Sequence, residues 1–186
     1  MWKRPLGQHK ILIVSGVAVF ALASMFAAEY RLYAFTIAWH CVHQDTAKIG
    51  GYEARLPTLW WEEKSEDYDT FWLRRAAPSS TFPPPVIIVR PALSGATLGS
   101  DQEVLESMKT LIAAKATHPA LGSSSSLIIL GAKAFPLYCE KIDTRLLGID
   151  LSSRLSCEAA KVPYIFTFDG LPNREKEAES ILESLK

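Results

Sequence analysis

The chain has 186 residues, 48% of them apolar, and 20 basic side chains balanced by 20 acidic ones. Four of the basic residues (Lys3, Arg4, Lys10, Arg31) but only one acid (Glu29) fall in the first 31 positions, so the remainder carries a net charge of −3. That balance argues against a nucleic-acid partner, which needs a basic face, and about 145 residues suffice for one domain with its own core.

Ile11 to Ala28 is a run of 18 residues without a charge. At about 1.5 Å per residue it makes a helix of roughly 27 Å, close to the ~30 Å hydrocarbon core of a bilayer. A transmembrane helix is therefore expected. Trp2, Lys3, Arg4, His9 and Lys10 precede it, and Glu29, Tyr30, Arg31 and Tyr33 follow. The basic excess orients the N-terminus toward the cytoplasm, and the aromatic residues suit the headgroup level. The expected location is the inner (plasma) membrane, with the main domain periplasmic or otherwise extracytoplasmic. A cleaved signal peptide is the rival reading. Ala21-Leu22-Ala23 could serve as its cleavage site, but the apolar run continues past it and bulky Phe26 spoils the sites near Ala27 and Ala28. Small residues Gly16, Ala18, Ala21, Ala23 and Ser24 would let partner helices approach closely.

The expected organisation is a cytoplasmic tail over 1–10 and a transmembrane helix with an interfacial extension over 11–39. A linker over 40–50 then leads to an α+β domain over 51–186. In the linker region His40, Cys41 and His43 are candidate ligands for zinc or copper. Neighbours on a helix do not share a face, so interfacial residues around a free thiol are the plainer reading.

Within the domain, Gly51 to Pro57 alternates as a half-buried strand does. Trp60 and Trp61 are interface candidates, although neighbours in a strand point to opposite faces and one of the pair should be core. The acidic stretch Glu62 to Asp69 lacks the order of a calcium loop and is expected at a solvated hairpin tip. Thr70 to Arg74 resumes as a strand, and Val86 to Val89 suits a central one. The loop from Gly95 to Ser100 lacks the lysine of a phosphate loop. Ser100-x-x-Glu103 has the spacing of a capping box, and Val104, Leu105, Met108, Leu111 and Ile112 recur at helical spacing behind it.

Gly122 to Ser126 is expected as a flexible connection. Strands follow at Leu127–Leu130, Phe135–Ile142, Leu146–Cys157 with a break, and Tyr164–Phe168. Arg174 to Lys186 closes the chain as an amphipathic helix. Cys139 and Cys157, in neighbouring strands, are the expected disulfide, leaving Cys41 unpaired. His118 lacks the partners of an acyl-transfer triad. No catalytic constellation stands out, and neither an enzyme nor a cofactor is expected. The fold class is α+β: one transmembrane helix, then a mostly antiparallel sheet with two packed helices.

Four features resemble the frame of PsbP-like domains. They are Gly-Tyr-x-Ala-x-Leu-Pro-x-x-Trp from Gly51 to Trp60, the middle helix, Tyr164-Ile165-Phe166-Thr167-Phe168, and the closing Ile181-Leu182-Glu183-Ser184-Leu185-Lys186. The resemblance implies a small α+β module acting as an accessory subunit of a photosynthetic membrane complex. The expected function is thus a single-span accessory or assembly subunit of a larger membrane complex, photosynthetic or respiratory, whose partners are the membrane and integral membrane subunits. The alternative is a membrane-tethered module that binds a metal or small ligand.

Overall fold

The computed structural model describes residues 6–65, 69–77, 84–92, 99–116 and 122–186, and in the first helix the side chains of residues 19, 23, 24, 26, 27 and from 30 onward. The first helix, α1, runs unbroken over Leu6–His43. A short hairpin follows, β1 (Thr46–Ile49) with β2 (Tyr52–Arg55). The stretch expected as a linker, 40–50, thus holds the last turn of α1 and the whole of β1.

Seven further strands form one sheet: β3 (Trp60–Lys64), β4 (Phe71–Arg75), β5 (Val86–Pro91), β6 (Ser123–Gly131), β7 (Pro136–Leu146), β8 (Ile149–Glu158) and β9 (Tyr164–Gly170). Their order is β3-β4-β5-β9-β8-β7-β6, and every neighbouring pair is antiparallel. The α+β class and the antiparallel sheet are as the sequence predicts. Val86 to Val89 does lie inside the sheet, but with alternate residues buried rather than all of them.

Two helices sandwich the sheet. Along β7, Leu137 and Cys139 join the core formed with Ala178, Ile181 and Leu182 of α3 (Glu175–Glu183). Tyr138 between them packs instead with Val104 and Met108 of α2 (Asp101–Ala116). Alternation along one strand therefore feeds two cores, one on each face. The N-terminus of α2 is closed reciprocally: Ser100 N donates to Glu103 Oε2 at 2.9 Å, and Glu103 N donates to Ser100 Oγ at 3.3 Å. This is the capping box read from the sequence. The apolar stripe is shorter than its spacing suggests, since Leu111 is exposed.

One expectation is overturned by the sheet. Ser123 to Ser126 is not a flexible connection but the first half of β6, paired residue by residue with Thr144 to Lys141. The eleven-residue β7 offers a ladder that satisfies the backbone of these serines, and pairing outweighs their poor strand propensity.

Among the described residues no helix is long and apolar enough to cross a membrane. Most side chains of Ile11–Ala28 lie outside those residues. What is visible is the far end of α1, where Thr36, Trp39 and His40 are buried against the domain.

Candidate functional site

The junction between α1 and the sheet gathers most of the residues that the sequence singles out. The ring of Phe35 meets Trp61 edge-on with centroids 5.8 Å apart, and Trp39 stacks on His43 at 4.3 Å. His40 Nδ1 lies 2.7 Å from Asp45 Oδ1, while its buried Nε2 has no hydrogen-bond partner among the described residues. His43 Nδ1 lies 2.9 Å from the carbonyl oxygen of Trp39, and Cys41 is exposed with a free thiol. The three candidate metal ligands are thus held in three different settings. Among the described residues no three His, Cys, Asp or Glu side chains come together as a metal site.

The two tryptophans part company as strand geometry requires. Trp60 is fully buried, so it belongs to the core rather than to an exposed contact surface, and Trp61 is half covered. Glu62 accepts a hydrogen bond from Lys48 N at 3.1 Å, and burial pushes its carboxyl above the ordinary value despite that bond. Glu63 pairs with Arg74. The hairpin between β3 and β4 is closed by Ser65 N donating to Thr70 O at 3.0 Å; residues 66–68 at its tip lie outside the described residues. So do His118 and residues 93–98 of the loop before α2. Of the small residues proposed for helix packing, Gly16, Ala18 and Ala21 have side chains outside the described set, and Ala23 and Ser24 are exposed.

Beside the junction lies a cleft of about 310 Å³ lined by Asp45, Arg55, Leu56, Pro57, Thr58, Ser180 and Ser184. Its hydroxyl at Ser184 accepts from Arg55 N at 2.8 Å. It offers hydrogen bonds and one charge of each sign.

Two polar clusters have no signal in the sequence. In the first, Glu177 on α3 accepts from Trp60 Nε1 (3.0 Å), Arg75 Nε (2.7 Å) and Arg174 (2.7 Å). Burial alone would raise this carboxyl, but the three donors outweigh it and hold Glu177 below its ordinary value. In the second, Lys141 Nζ lies 2.6 Å from Glu175 Oε1 and 3.5 Å from Asp143 Oδ2. Ser153 Oγ donates to Glu175 Oε2 at 2.8 Å. The hydrogen bond with Glu175 pushes the Lys141 ammonium up, while burial and then the charge of Glu175 push Glu179 up. Both clusters fasten α3 to the sheet.

No family model matches the chain, and no curated protein sequence does. Among solved structures, a crystal structure from Bacteroides thetaiotaomicron is similar over 73% of this chain, at 15% identity and a TM-score of 0.45. This chain spans only 44% of that protein's length. The solution structure of cyanobacterial PsbP (CyanoP) from Synechocystis sp. PCC 6803 is similar over 73% of this chain and 86% of its own, at 12% identity and a TM-score of 0.43. The resemblance to PsbP is weak.

Proposed function

We propose that this protein is a single-span, membrane-anchored accessory or assembly subunit of a larger membrane complex, with its α/β/α domain outside the cytoplasm. The observation that carries the reading is the burial of Thr36, Trp39 and His40 at the end of α1. The uncharged run Ile11–Ala28 continues without a break into the helix end that packs on the domain, so the anchor is joined to it directly rather than by a linker. A bonded Cys139–Cys157 pair suits an oxidising compartment, and the basic tail before α1 suits a cytoplasmic N-terminus. Photosynthetic and respiratory complexes are the candidates, from the accessory role that the sequence resemblance implies.

The test is mild-detergent extraction of native membranes followed by purification of this chain. A defined set of integral membrane subunits at fixed ratio is the expected result, and Gly16→Leu with Ala23→Leu should release the chain from them without unfolding the domain. Recovery of the chain alone, or unchanged co-migration of the double variant, counts against the reading.

A further inference from the structure

The turn joining β7 to β8 carries a patch that the fold does not need. Leu146, Leu147, Ile149 and Leu151 are 58%, 94%, 64% and 43% exposed. Pairing of β7 with β6 ends at Thr144↔Ser123, and pairing of β8 with β9 ends at Ser153↔Gly170. Arg145 is still held by Gly122, and the residues beyond it project as a two-stranded finger, on the order of 10 Å past the sheet. Leu146 and Ile149 face each other across it, and the register shift after Thr144 leaves Leu151 as an extra residue in the bulged strand.

The tip itself is costly in apolar terms. Leu147 and Gly148 both have positive φ, 53° and 81°, the geometry of a tight hairpin turn. Such a turn favours asparagine, aspartate or glycine at its first position, and leucine is disfavoured there. A nearly fully exposed leucine in a left-handed conformation serves neither turn nor core, which points to a role outside folding.

We infer that this finger dips into the surface of a lipid bilayer, the same one that α1 is proposed to cross; the inference rests on that anchor reading. Three observations select lipid over protein. First, the alternation of strands puts the starts of β3 and β8 at one end of the sheet. α1 packs beside that end, with Phe35 on Trp61, the second residue of β3. The finger and the α1 contact are then four strand spacings apart across the sheet, about 20 Å. Second, the exposed apolar side chains are all aliphatic, whereas protein hot spots favour Trp, Tyr and Arg and use leucine sparingly. Third, the charges within the finger, Arg145 and Asp150, face each other on the rung next to Leu146 and Ile149 and pair with each other.

The experiment uses the full chain with Cys41→Ser, reconstituted in phosphatidylcholine–phosphatidylglycerol vesicles. An environment-sensitive dye is attached in turn through Leu147→Cys, Val19→Cys and Asp69→Cys. Position 19 reports on α1, and position 69, in the β3–β4 turn at the opposite end of the sheet, is the water-exposed reference. The expected result is several-fold brighter, blue-shifted emission at 147 than at 69, quenched by lipids spin-labelled near the headgroup. Lipid-like emission at 19 with water-like emission at 147 overturns the finger and leaves the anchor standing. Water-like emission at 19 and lipid-like emission at 147 overturns the anchor reading and retains the finger as a peripheral contact. Water-like emission at both overturns both. If a photo-crosslinker at 147 in native membranes captures protein instead of lipid, the finger is a protein contact and the inference fails.

Discussion

The indole N–H of Trp60 donates to Oε2 of Glu177 at 3.0 Å, joining residues 117 positions apart. Arg75 reaches the same oxygen at 2.7 Å, so one carboxylate ties the edge strand, its neighbour and the last helix together. With Trp60 fully buried and Arg75 nearly so, removing the acceptor charge strands two donors. Glu177→Gln, which keeps one acceptor, should cost about 1–2 kcal/mol at neutral pH. The pH dependence has a definite sign. A carboxyl held low in the folded state contributes stability above its unfolded value and loses it as pH falls through the folded value. The gap between wild type and Glu177→Gln in urea unfolding should therefore hold at neutral pH and close in acid, from the ordinary value of 4.5 downward.

Cys139 and Cys157 sit directly opposite each other in β7 and β8, with Cα atoms 4.0 Å apart and both side chains fully buried. Denatured, unreduced protein should show one reactive thiol, Cys41, and reduction should expose all three. Closing a loop of this length is worth about 3 kcal/mol in the chain-entropy picture, so replacing both cysteines with alanine should lower the urea midpoint accordingly. Three reactive thiols before reduction would remove the bridge from the account.

Gly122 holds the base of the β7–β8 hairpin. It has φ +77°, and its carbonyl accepts from Arg145 N at 2.6 Å. A Cβ there would lie 2.2 Å from the carbonyl oxygen of Arg145. Gly122→Ala should cost at least about 1–2 kcal/mol and speed hydrogen exchange at Ser123 to Ser126, while exchange in β5 and β9 stays slow.

Trp39 is the main side chain that α1 inserts into the domain, 8% exposed and stacked on His43. Trp39→Ala should cost about 3 kcal/mol. It should also open the 36–46 stretch to limited proteolysis before the seven-stranded sheet unfolds, as resolved by peptide mapping. Cleavage no faster than in wild type would show that the docking does not depend on this ring.

Local rules carried much of this fold and failed at identifiable places. Ser100 and Glu103 are three residues apart and close each other's backbone donors, so their role is legible from spacing alone. The cysteine pair is legible because both residues lie in neighbouring apolar strands. Ser123 to Ser126 misleads because its pairing partner, Lys141 to Thr144, is what makes it a strand. That one of Trp60 and Trp61 is core follows from strand alternation, but which one depends on Glu177, far along the chain on the packed α3. The placement of α2 and α3 on opposite faces depends on which of Leu137, Tyr138 and Cys139 points where, and strand alternation fixes it only once the topology is known.

The unbroken passage of α1 into the domain makes it a shaft with a keyed end. Each helical residue advances the azimuth by about 100°, and the burial of Thr36, Trp39 and His40 sets which face of that shaft meets the domain. Whatever grips the upstream half of α1 therefore also sets the compass bearing of the sheet. One residue inserted between Tyr30 and Phe35 would turn every downstream surface, finger and cleft alike, more than a quarter of the way around the axis.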